Sequence, residues 1–421
     1  FRRVLFRSDI LVVGGGISGL TAAIEAAEAG ANVTVVEKEA FLGGRVARTN
    51  LYFPKMCPPT CGLEINFRRV KTNPRIRTLT LSTVESITGG PGSYKATIRK
   101  APRFVNSKCT TCGQCIEVCP VDRPDDFNLG MGTTKAIYFP YEMAYPSRFV
   151  IDPETCLGAE ECGKCVEACP YDAIDLGMSP ETEEIEVDSV IWATGWHPPD
   201  ATRFEGLGFG THANVINNVT MERLSAVNGP TGGRIQRPSD GEAPGSIAFV
   251  QCAGSRDENY YKYCSGVCCL ASLKQARYVR EQNPDADIYI FYIDLRAPGR
   301  LEDFLVASKE DEKLFLTKGK VANITEDSGS GTLTVEAEDV LSGRKVAQEV
   351  DMVVLATGMV PNGIGDTRVE GGIELDEHGF LAISQPQGYL AAGCAKRPID
   401  VATCNRDATG VALKALQLGA E

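Results

Sequence analysis

The segment from Asp9 to Glu37 constrains the fold of this 421-residue chain more than any other. It opens with a short apolar run, Asp9–Val13, whose composition predicts a buried parallel strand. Gly14–Gly19 follows and reads G-x-G-x-x-G, and an Ala- and Glu-rich stretch then predicts a helix that ends at Gly30. A second apolar run ends at Glu37. This order of strand, glycine loop, helix, strand and acid predicts an α/β fold with a dinucleotide-binding βαβ unit.

Each part of this unit has a physical role in holding a dinucleotide. Gly14 permits the tight turn, Gly16 lets the backbone approach a pyrophosphate, and Gly19 lets the helix pack closely on the strand. The helix N-terminus offers free N–H groups to the phosphates, and Glu37, 18 residues beyond Gly19, is placed to hold ribose hydroxyls. A lone G-x-G-x-x-G is often only a glycine turn, but here every element around it falls in register.

Three later segments favour FAD over NAD as the dinucleotide. Phe41-Leu-Gly-Gly-Arg45 follows the acid, an arrangement that resembles the two-dinucleotide-binding-domain flavoproteins. Segments 188–195 and 351–358 each read as a buried strand that ends in Ala-Thr-Gly. They resemble the strands that lead from one domain to the next in that class of protein.

The C-terminal part of the predicted flavin domain departs from that class at one position. Gly393 is followed by Cys394, where those flavoproteins usually have an Asp that touches the ribityl chain, and a helix is expected to begin around Asp407. Backbone N–H groups could replace the missing contact. The candidate cofactor-binding residues are Gly14, Gly16, Ser18, Gly19, Glu37, Lys38, Gly44, Arg45, Thr194, Gly195, Gly393, Cys394, Ala408 and Thr409.

Composition excludes several classes of protein. The hydrophobic fraction of 43% and the charged fraction of 23% are ordinary for a globular chain of two or three domains. The net charge is -12 with no basic block, so nucleic acid is not expected as a partner, and no apolar run is long enough to span a bilayer. The first eight residues, FRRVLFRS, match no element of the predicted fold, and no structure is assigned to them.

The chain has 16 cysteines beside 3 histidines, and eight of the cysteines form two runs. The first run, Cys109–Cys119, reads C-x2-C-x2-C-x3-C-P, the spacing of a bacterial [4Fe–4S] ferredoxin motif. The second, Cys156–Cys169, has the same order with an insertion between its first two cysteines. Zinc also binds C-x2-C pairs, but zinc does not explain this four-cysteine order occurring twice. Clustered thiols of this kind favour metal or redox work in a reducing compartment.

In ferredoxins with two clusters, the fourth cysteine of each run ligates the other cluster. We therefore expect one [4Fe–4S] cluster on Cys109, Cys112, Cys115 and Cys169. The other is expected on Cys156, Cys162, Cys165 and Cys119.

A second nucleotide-binding domain is expected to begin with the apolar run Ser246–Val250. The glycine loop that would admit a nicotinamide dinucleotide is missing after it, so direct NAD(P)H oxidation is not expected. In its place stand four cysteines, Cys252, Cys264, Cys268 and Cys269. Their spacing leaves open a third, unconventional [4Fe–4S] site or a buried thiol cluster without redox function.

Other reactive side chains carry weaker signals. Cys57 and Cys61 could form a disulfide, supply further ligands or be structural thiols. His197, His212 and His378 are isolated in the sequence and are expected to be packing or surface residues. No Ser–His or paired-carboxylate arrangement for hydrolysis is evident.

Taken together, the glycine loop, both ferredoxin motifs and the 251–269 segment resemble the A subunit of heterodisulfide reductase. That resemblance implies an α/β flavoprotein with two dinucleotide-binding domains, like thioredoxin and glutathione reductases, and an inserted two-cluster ferredoxin domain. It also implies a third cluster on Cys252, Cys264, Cys268 and Cys269, and a lysine near the flavin that corresponds to Lys274. Lys274 could stabilise a reduced, anionic flavin, and the alternative is an ordinary solvated helix residue.

The short form of the chain, with the segment 53–61, resembles the A subunit of the quinone-interacting membrane-bound oxidoreductase of sulfate-reducing bacteria. That resemblance implies three partners, namely a second related flavoprotein subunit, adenylylsulfate reductase and a haem-bearing membrane subunit. Electrons would pass between menaquinone and adenylylsulfate reductase, and the chain would be cytoplasmic and peripheral at the inner face of the membrane. Two alternatives are a heterodisulfide-reductase-type subunit that bifurcates electrons and a free-standing disulfide reductase that uses Cys57 and Cys61.

The expected domain organisation follows from these segments. The predicted parts are a flavin domain (9–100), an inserted ferredoxin domain (101–179), a flavin-domain continuation and linker (180–244), a second nucleotide-binding-like domain (245–357) and a flavin-domain closing segment (358–421).

Overall fold

The computed structural model describes residues 8–383, 385 and 388–418. Residues 1–7, most of the segment that matches no predicted element, lie outside the described part of the chain. Ser8 is already tied to the first sheet, because its carbonyl accepts a hydrogen bond from the Asn32 N–H over 2.9 Å.

The strands within the described residues are numbered in chain order. They are β1 (Asp9–Val13), β2 (Asn32–Val36), β3 (Ile76–Leu79), β4 (Ser82–Gly90), β5 (Ser93–Lys100), β6 (Asp122–Pro124), β7 (Thr133–Lys135), β8 (Ile137–Tyr138), β9 (Val150–Ile151), β10 (Glu181–Val187), β11 (Ser189–Trp192), β12 (Trp196–His197), β13 (Val215–Asn217), β14 (Ser246–Val250), β15 (Asp287–Tyr292), β16 (Leu314–Lys318), β17 (Val321–Glu326), β18 (Leu333–Asp339), β19 (Arg344–Val350), β20 (Met352–Leu355), β21 (Val360–Pro361), β22 (Arg368–Val369) and β23 (Leu390–Ala391).

The α-helices are numbered in the same way. They are α1 (Ile17–Glu28), α2 (Thr60–Thr72), α3 (Gln114–Glu117), α4 (Gly158–Glu161), α5 (Lys164–Glu167), α6 (Asn218–Ser225), α7 (Cys268–Gln282), α8 (Leu301–Lys309) and α9 (Val401–Leu418). Short 3₁₀ turns cover Gly44–Arg48, Ala201–Arg203 and Gly393–Ala395.

The first domain is a parallel sheet in the order β23-β11-β1-β2-β3, as the glycine-loop unit predicts. Alternate residues of its strands enter two different cores. Ile10 and Val12 pack with α1 and α9, whereas Leu11 and Trp192 pack against the antiparallel strands β4 and β5. Because both faces are covered, nearly every residue of β1 is apolar, which is the reason that this strand could be found in the sequence.

The second domain repeats this construction. Its parallel sheet has the order β13-β20-β14-β15-β16, with α6, α7 and α8 packed on one face and the antiparallel strands β17–β19 on the other. This domain begins earlier than the predicted boundary at 245. β13 lies in the segment assigned to the flavin-domain continuation, yet it pairs with β20 from Val215 to Asn217. A strand of three residues carries too little periodicity to be recognised in the sequence.

The inserted segment between β5 and β10 holds the two ferredoxin cysteine runs on short helices and loops. A small hydrophobic core, which includes Val105, Ile137 and Ile174, joins cysteines of both runs. Val105 and Ile174 form an isolated bridge across the insert, so the two runs face each other. β5 and β10 pair along Tyr94–Lys100, and the insert therefore leaves from and returns to adjacent strands.

Candidate flavin and iron–sulfur sites

A large cavity of about 1270 Å³ lies along the carboxyl edge of the first sheet, between the two domains. Residues of the glycine loop line one part of it, and residues of α6 and α7 from the second domain line another. A cavity of this size suits a dinucleotide better than a small metabolite. Among the predicted cofactor-binding residues, the lining includes Gly14, Gly16, Ser18, Glu37, Lys38, Gly44, Arg45, Thr194, Gly195 and Cys394.

The glycine loop has the geometry that its sequence predicts. Gly14 has a φ of +110°, and a Cβ there would lie 2.3 Å from the Ala193 carbonyl oxygen. Gly19 does not line the cavity. Its role is close packing of α1, because a Cβ on it would lie 1.9 Å from the Gly14 carbonyl oxygen. Gly16 precedes α1 and lines the cavity, and a Cβ there would meet only the Gly44 Cα, at 3.9 Å, so the backbone is accessible to a phosphate group.

Glu37 is buried at the end of β2, beside the glycine loop. Its two carboxylate oxygens accept hydrogen bonds from the Gly15 N–H over 2.7 Å and from the Glu39 N–H over 2.9 Å. Burial raises the pKa of this carboxyl group, and the two backbone hydrogen bonds oppose that rise. The bonds hold the side chain in place at the cavity wall, where ribose hydroxyls could use its remaining lone pairs.

Two arginines from the turn at Gly44–Arg48 supply positive charge to the cavity. Burial lowers the pKa of Arg45 to about 10, and neighbouring Arg48 adds to that effect. The Nε atoms of both arginines are buried without a hydrogen-bond partner in the described structure. Arg45 also stacks over the Trp196 ring at 4.7 Å. Unused guanidinium donors beside an anion-binding glycine loop fit the pyrophosphate and ring system of FAD.

The first Ala-Thr-Gly segment meets the chain that follows the second one at the cavity, as expected of strands that join the domains. Asn362 donates from Nδ2 to the Thr194 carbonyl over 2.6 Å, and Thr194 donates from Oγ1 to the Gly363 carbonyl over 2.7 Å. β12 and β21 pair just beyond them. His197 is exposed, as expected, and it lines the cavity here with Nδ1 at 2.8 Å from Asn362 Oδ1.

The cofactor contacts predicted for the C-terminal helix need correction, because α9 begins at Val401 and not near Asp407. Asp400 fixes the start of the helix by accepting a hydrogen bond from the Thr403 N–H over 2.8 Å. Ala408 is consequently buried against α1, and Thr409 is exposed. Neither lines the cavity. The helix residues that do so are Val401, Ala402, Cys404 and Asn405.

Gly393 itself is a packing residue. A Cβ there would lie 2.0 Å from the Ser18 Oγ, and its N–H donates to Asp407 Oδ2 over 2.8 Å. The neighbouring Cys394 does line the cavity.

The first expected cluster site is present as a small cavity. Cys109, Cys112 and Cys115 of the first run and Cys169 of the second all line this space of about 20 Å³. Cys169 accepts a hydrogen bond at Sγ from the Ala173 N–H over 3.4 Å. Burial raises the pKa of Cys115 to about 12, with the neighbouring Cys109 as a further cause. A bound iron centre would reverse this rise, because its charge favours thiolates.

The second expected set is arranged in the same crossed manner. Burial raises the pKa of Cys165, and the other causes include the thiols of Cys156, Cys119 and Cys162. The Cys119 thiol therefore lies close enough to Cys165 to affect its pKa, together with thiols of the second run. Within the described residues, no three His, Cys, Asp or Glu side chains are grouped so as to hold a single metal ion.

The third set lies between β14 and the start of α7. Burial raises the pKa of Cys268, and the thiols of Cys252, Cys269 and Cys264 add to the rise. Cys252 has a φ of +57°, an unusual conformation for a residue with a side chain. Its thiol contacts Arg256, which pairs with Asp294 at 2.9 Å. The four thiols therefore form one group beside a cation, which fits the ligand set implied by the resemblance.

Lys274 is only 3% exposed and lines the flavin cavity. Its Nζ lies 2.8 Å from Glu222 Oε1 and donates to the Leu51 carbonyl over 2.7 Å. Gln275 and Tyr278 also contact the Glu222 carboxylate. The position fits the expectation of a lysine beside the flavin, and the solvated alternative is wrong.

Sequence reasoning missed Glu222, Arg48 and Cys404 at the cavity. Glu222 and Cys404 stand in helices without a recognisable motif. Arg48 could have been found, because it lies three residues after Arg45 in the same turn. The structure separates the surroundings of Cys57 and Cys61, the two cysteines before the ferredoxin runs. Cys57 lines the cavity, and Cys61 lies exposed in the first turn of α2.

Comparison with known proteins defines the class of protein. Residues 9–66 match the family model for an FAD dependent oxidoreductase, and residues 102–122 and 148–174 each match a 4Fe-4S binding domain. The fold is similar to thioredoxin reductase of T. acidophilum, with a TM-score of 0.54 at 13% identity over 99% of this chain and 100% of the other. The enzyme of Lactococcus lactis gives 0.53 at 13% identity, over 98% of this chain and 99% of the other. The chain therefore has a thioredoxin-reductase-like fold, and it contains a segment that matches FAD dependent oxidoreductases and two 4Fe–4S binding domains.

More similar sequences narrow this class. The chain is 41% identical to the second iron-sulfur A subunit of CoB–CoM heterodisulfide reductase from Methanopyrus kandleri, over 93% of this chain and 59% of that protein. It is 37% identical to the A subunit of H(2):CoB-CoM heterodisulfide,ferredoxin reductase from Methanothermobacter marburgensis, over 96% of this chain and 63% of that protein. The chain is thus related to the A subunits of heterodisulfide reductases and spans about three fifths of these relatives' length.

These comparisons confirm the predicted fold, both cofactors and the broader resemblance. The narrower resemblance to the protein of sulfate-reducing bacteria stays a prediction, as do the partners and the membrane association. In the described part of the chain, no helix combines the length and apolar character needed to cross a membrane.

Proposed function

We propose that this chain is the flavin- and iron–sulfur-containing electron-transfer subunit of a complex of the heterodisulfide reductase type. In this role, it exchanges electron pairs at the flavin and single electrons at the clusters. The relatives' names support this choice, because that of Methanothermobacter marburgensis includes both a heterodisulfide and ferredoxin. A protein that serves two acceptors divides electron pairs, and the proposal therefore includes electron bifurcation.

The observation that carries the proposal is the position of the third cysteine set. α7 begins with Cys268 and Cys269, and Ala271 and Lys274 of the same helix line the flavin cavity. Ala271 follows Cys268 by three residues and Cys269 by two, so less than one helical turn separates the cysteines from the cavity wall along the axis. A cluster on these cysteines would lie next to the flavin, where electrons can leave singly.

The proposal is tested by reducing the flavin of anaerobically purified protein with light and freezing samples at intervals. Electron paramagnetic resonance then reports whether cluster signals grow while the flavin reoxidises. We expect this transfer in the wild-type protein. Its loss in a Cys268→Ala variant that retains FAD would support the route through the third set. Flavin that holds its electrons while all clusters stay oxidised would overturn the proposal.

A second candidate is the quinone-linked role in sulfate reduction. The observation in its favour concerns the segment 53–61, which carries the resemblance to the protein of sulfate-reducing bacteria. The flavin cavity is lined by three of its residues, Phe53, Lys55 and Cys57. The chain would then act with a second related flavoprotein, adenylylsulfate reductase and a haem-bearing membrane subunit. Through these partners, it would sit at the inner face of the membrane.

Purification from the native source separates the two candidates. Retention with a hydrogenase or formate dehydrogenase supports the first. Retention with a haem-bearing membrane subunit, together with menaquinol-dependent turnover that requires the partner flavoprotein, supports the second.

A further inference from the structure

Two buried thiols face each other at the wall of the flavin cavity. Cys394 and Cys404 are 6% and 3% exposed, and their sulfurs lie 3.7 Å apart. Both residues line the cavity that the cofactor-binding residues define. Neither belongs to a ferredoxin run or to the third cysteine set, so the proposed cluster arrangement does not use them.

We propose that Cys394 and Cys404 form a redox-active pair that cycles between dithiol and disulfide by exchanging electrons with the flavin. When the pair is oxidised, the two thiols give up two protons and two electrons, and one S–S bond forms. Oxidised FAD accepts both electrons and one proton and becomes the reduced, anionic flavin, while the second proton is released to solvent. The reverse reaction breaks the S–S bond and restores both thiols. The step rests on FAD in the cavity and on no particular partner complex.

The surroundings of the pair favour this chemistry. A disulfide requires an S–S separation of about 2.05 Å, so the sulfurs need to approach by about 1.6 Å more. Cys404 stands in the first turn of α9, and Cys394 in the short turn that precedes it, with Met359 Sδ at 3.9 Å from Cys394 Sγ. Cys394 lies outside α9, so the bond would link two elements and would not cross-link residues within the helix.

The two thiols are also chemically unequal. A hydrogen bond from Cys394 lowers the pKa of Cys404, and a contact with Ser18 lowers it further. The same bond and burial raise the pKa of Cys394. Cys404 is therefore the more acidic thiol of the pair, and acidity favours the thiolate form that reacts in thiol–disulfide chemistry.

Peptide mapping tests the pair directly in the wild-type holoprotein. The protein is equilibrated anaerobically with thiol–disulfide buffers over a range of potentials, alkylated, unfolded and cleaved with trypsin. Cleavage after Lys396 separates the two cysteines into peptides 369–396 and 397–406, since the bond between Arg397 and Pro398 resists trypsin. We expect these peptides to be disulfide-linked at oxidising potentials and singly alkylated at reducing ones. Full alkylation of both at every potential would overturn the proposal.

Reductive titration gives a second, independent measurement. Oxidised wild-type protein is expected to take up two more electrons per chain than a Cys404→Ser variant, because a disulfide is a two-electron couple. Exposed Cys61 provides the matched control, and Cys61→Ser is expected to take up as many electrons as the wild type. Equal uptake by Cys404→Ser, at equal flavin and iron content, would contradict the pair. Because neither readout depends on a partner, failure here leaves the proposed function intact.

Discussion

Lys274 and Glu222 form an ion pair of 2.8 Å at the wall of the flavin cavity, and both side chains are buried. The pair joins α7 to α6 within the second domain, while Lys274 also donates to the Leu51 carbonyl of the first domain. This arrangement holds a positive charge at a defined position on the wall of the flavin cavity. The lysine and the glutamate also depend on each other, since burying either ion without its partner costs free energy.

Replacing Lys274 with Met is expected to lower the flavin reduction potential by on the order of 30 mV, because a cation beside the ring favours the reduced, anionic form. It is also expected to destabilise the protein by about 3 kcal/mol, since Glu222 is left buried without its partner. Spectroscopic redox titration and denaturant unfolding measure the two effects. Exposed Arg277 on the same helix supplies the control Arg277→Met.

The double variant Lys274→Met with Glu222→Gln separates these effects. It is expected to recover most of the lost stability while keeping the lowered potential. An unchanged potential in Lys274→Met would show that the lysine serves only Glu222.

Arg45→Met is expected to weaken FAD binding by at least about tenfold, because a charge-assisted hydrogen bond contributes on the order of 1.5–3 kcal/mol. The pKa of Arg45 lies at about 10 before the anion binds, so its charge is present below that pH and lost above it. Wild-type protein should therefore release flavin as the pH rises above about 10, and the variant should show a flatter profile. Flavin fluorescence measures both. Arg68→Met, on an exposed arginine of α2, should bind FAD as the wild type does.

The crossed arrangement of the ferredoxin cysteines predicts which variants resemble each other. Cys169→Ala should remove the same cluster signal as Cys112→Ala, although the two cysteines belong to different runs. Cys119→Ala should in turn match Cys162→Ala. Electron paramagnetic resonance of the reduced proteins compares the signals, and each change should cost about four irons per chain. If Cys169→Ala instead matched Cys162→Ala, each run would hold its own cluster.

The Cys268→Ala variant tests whether the third cysteine set binds iron, through the iron content per chain. Anaerobically purified wild-type protein is expected to contain about twelve irons with one FAD, and the variant about eight with FAD retained. Iron, acid-labile sulfide and flavin analyses give these values, and Cys61→Ala should match the wild type. A wild-type content of about eight irons would leave the four thiols as a buried cluster without iron.

The sequence predicted the parts of the molecule that depend on local spacing. The glycine loop works through residues within one βαβ unit, and Glu37 follows it at a fixed distance along the chain. The ferredoxin runs are equally local, apart from the exchange of their fourth cysteines. Patterns of this kind are visible in a sequence because chain geometry alone sets the separation of their residues.

Other features could not be predicted, because they depend on where distant elements meet. Asp400 sets the start of α9 at Val401, earlier than the predicted start near Asp407. As a result, Cys404 lines the cavity, and Ala408 and Thr409 do not. The assignment of β13 to the second domain depends on its pairing with β20, which lies far along the chain.

The sequence by itself therefore determined the class of fold, the dinucleotide and the two ferredoxin clusters, because short motifs encode them. Tertiary structure alone decided that Cys394 and Cys404 face each other at the wall of the flavin cavity and that Lys274 is paired with Glu222. Each of these contacts joins side chains from separate elements, whose packing depends on the whole buried core and leaves no periodic signal in the chain.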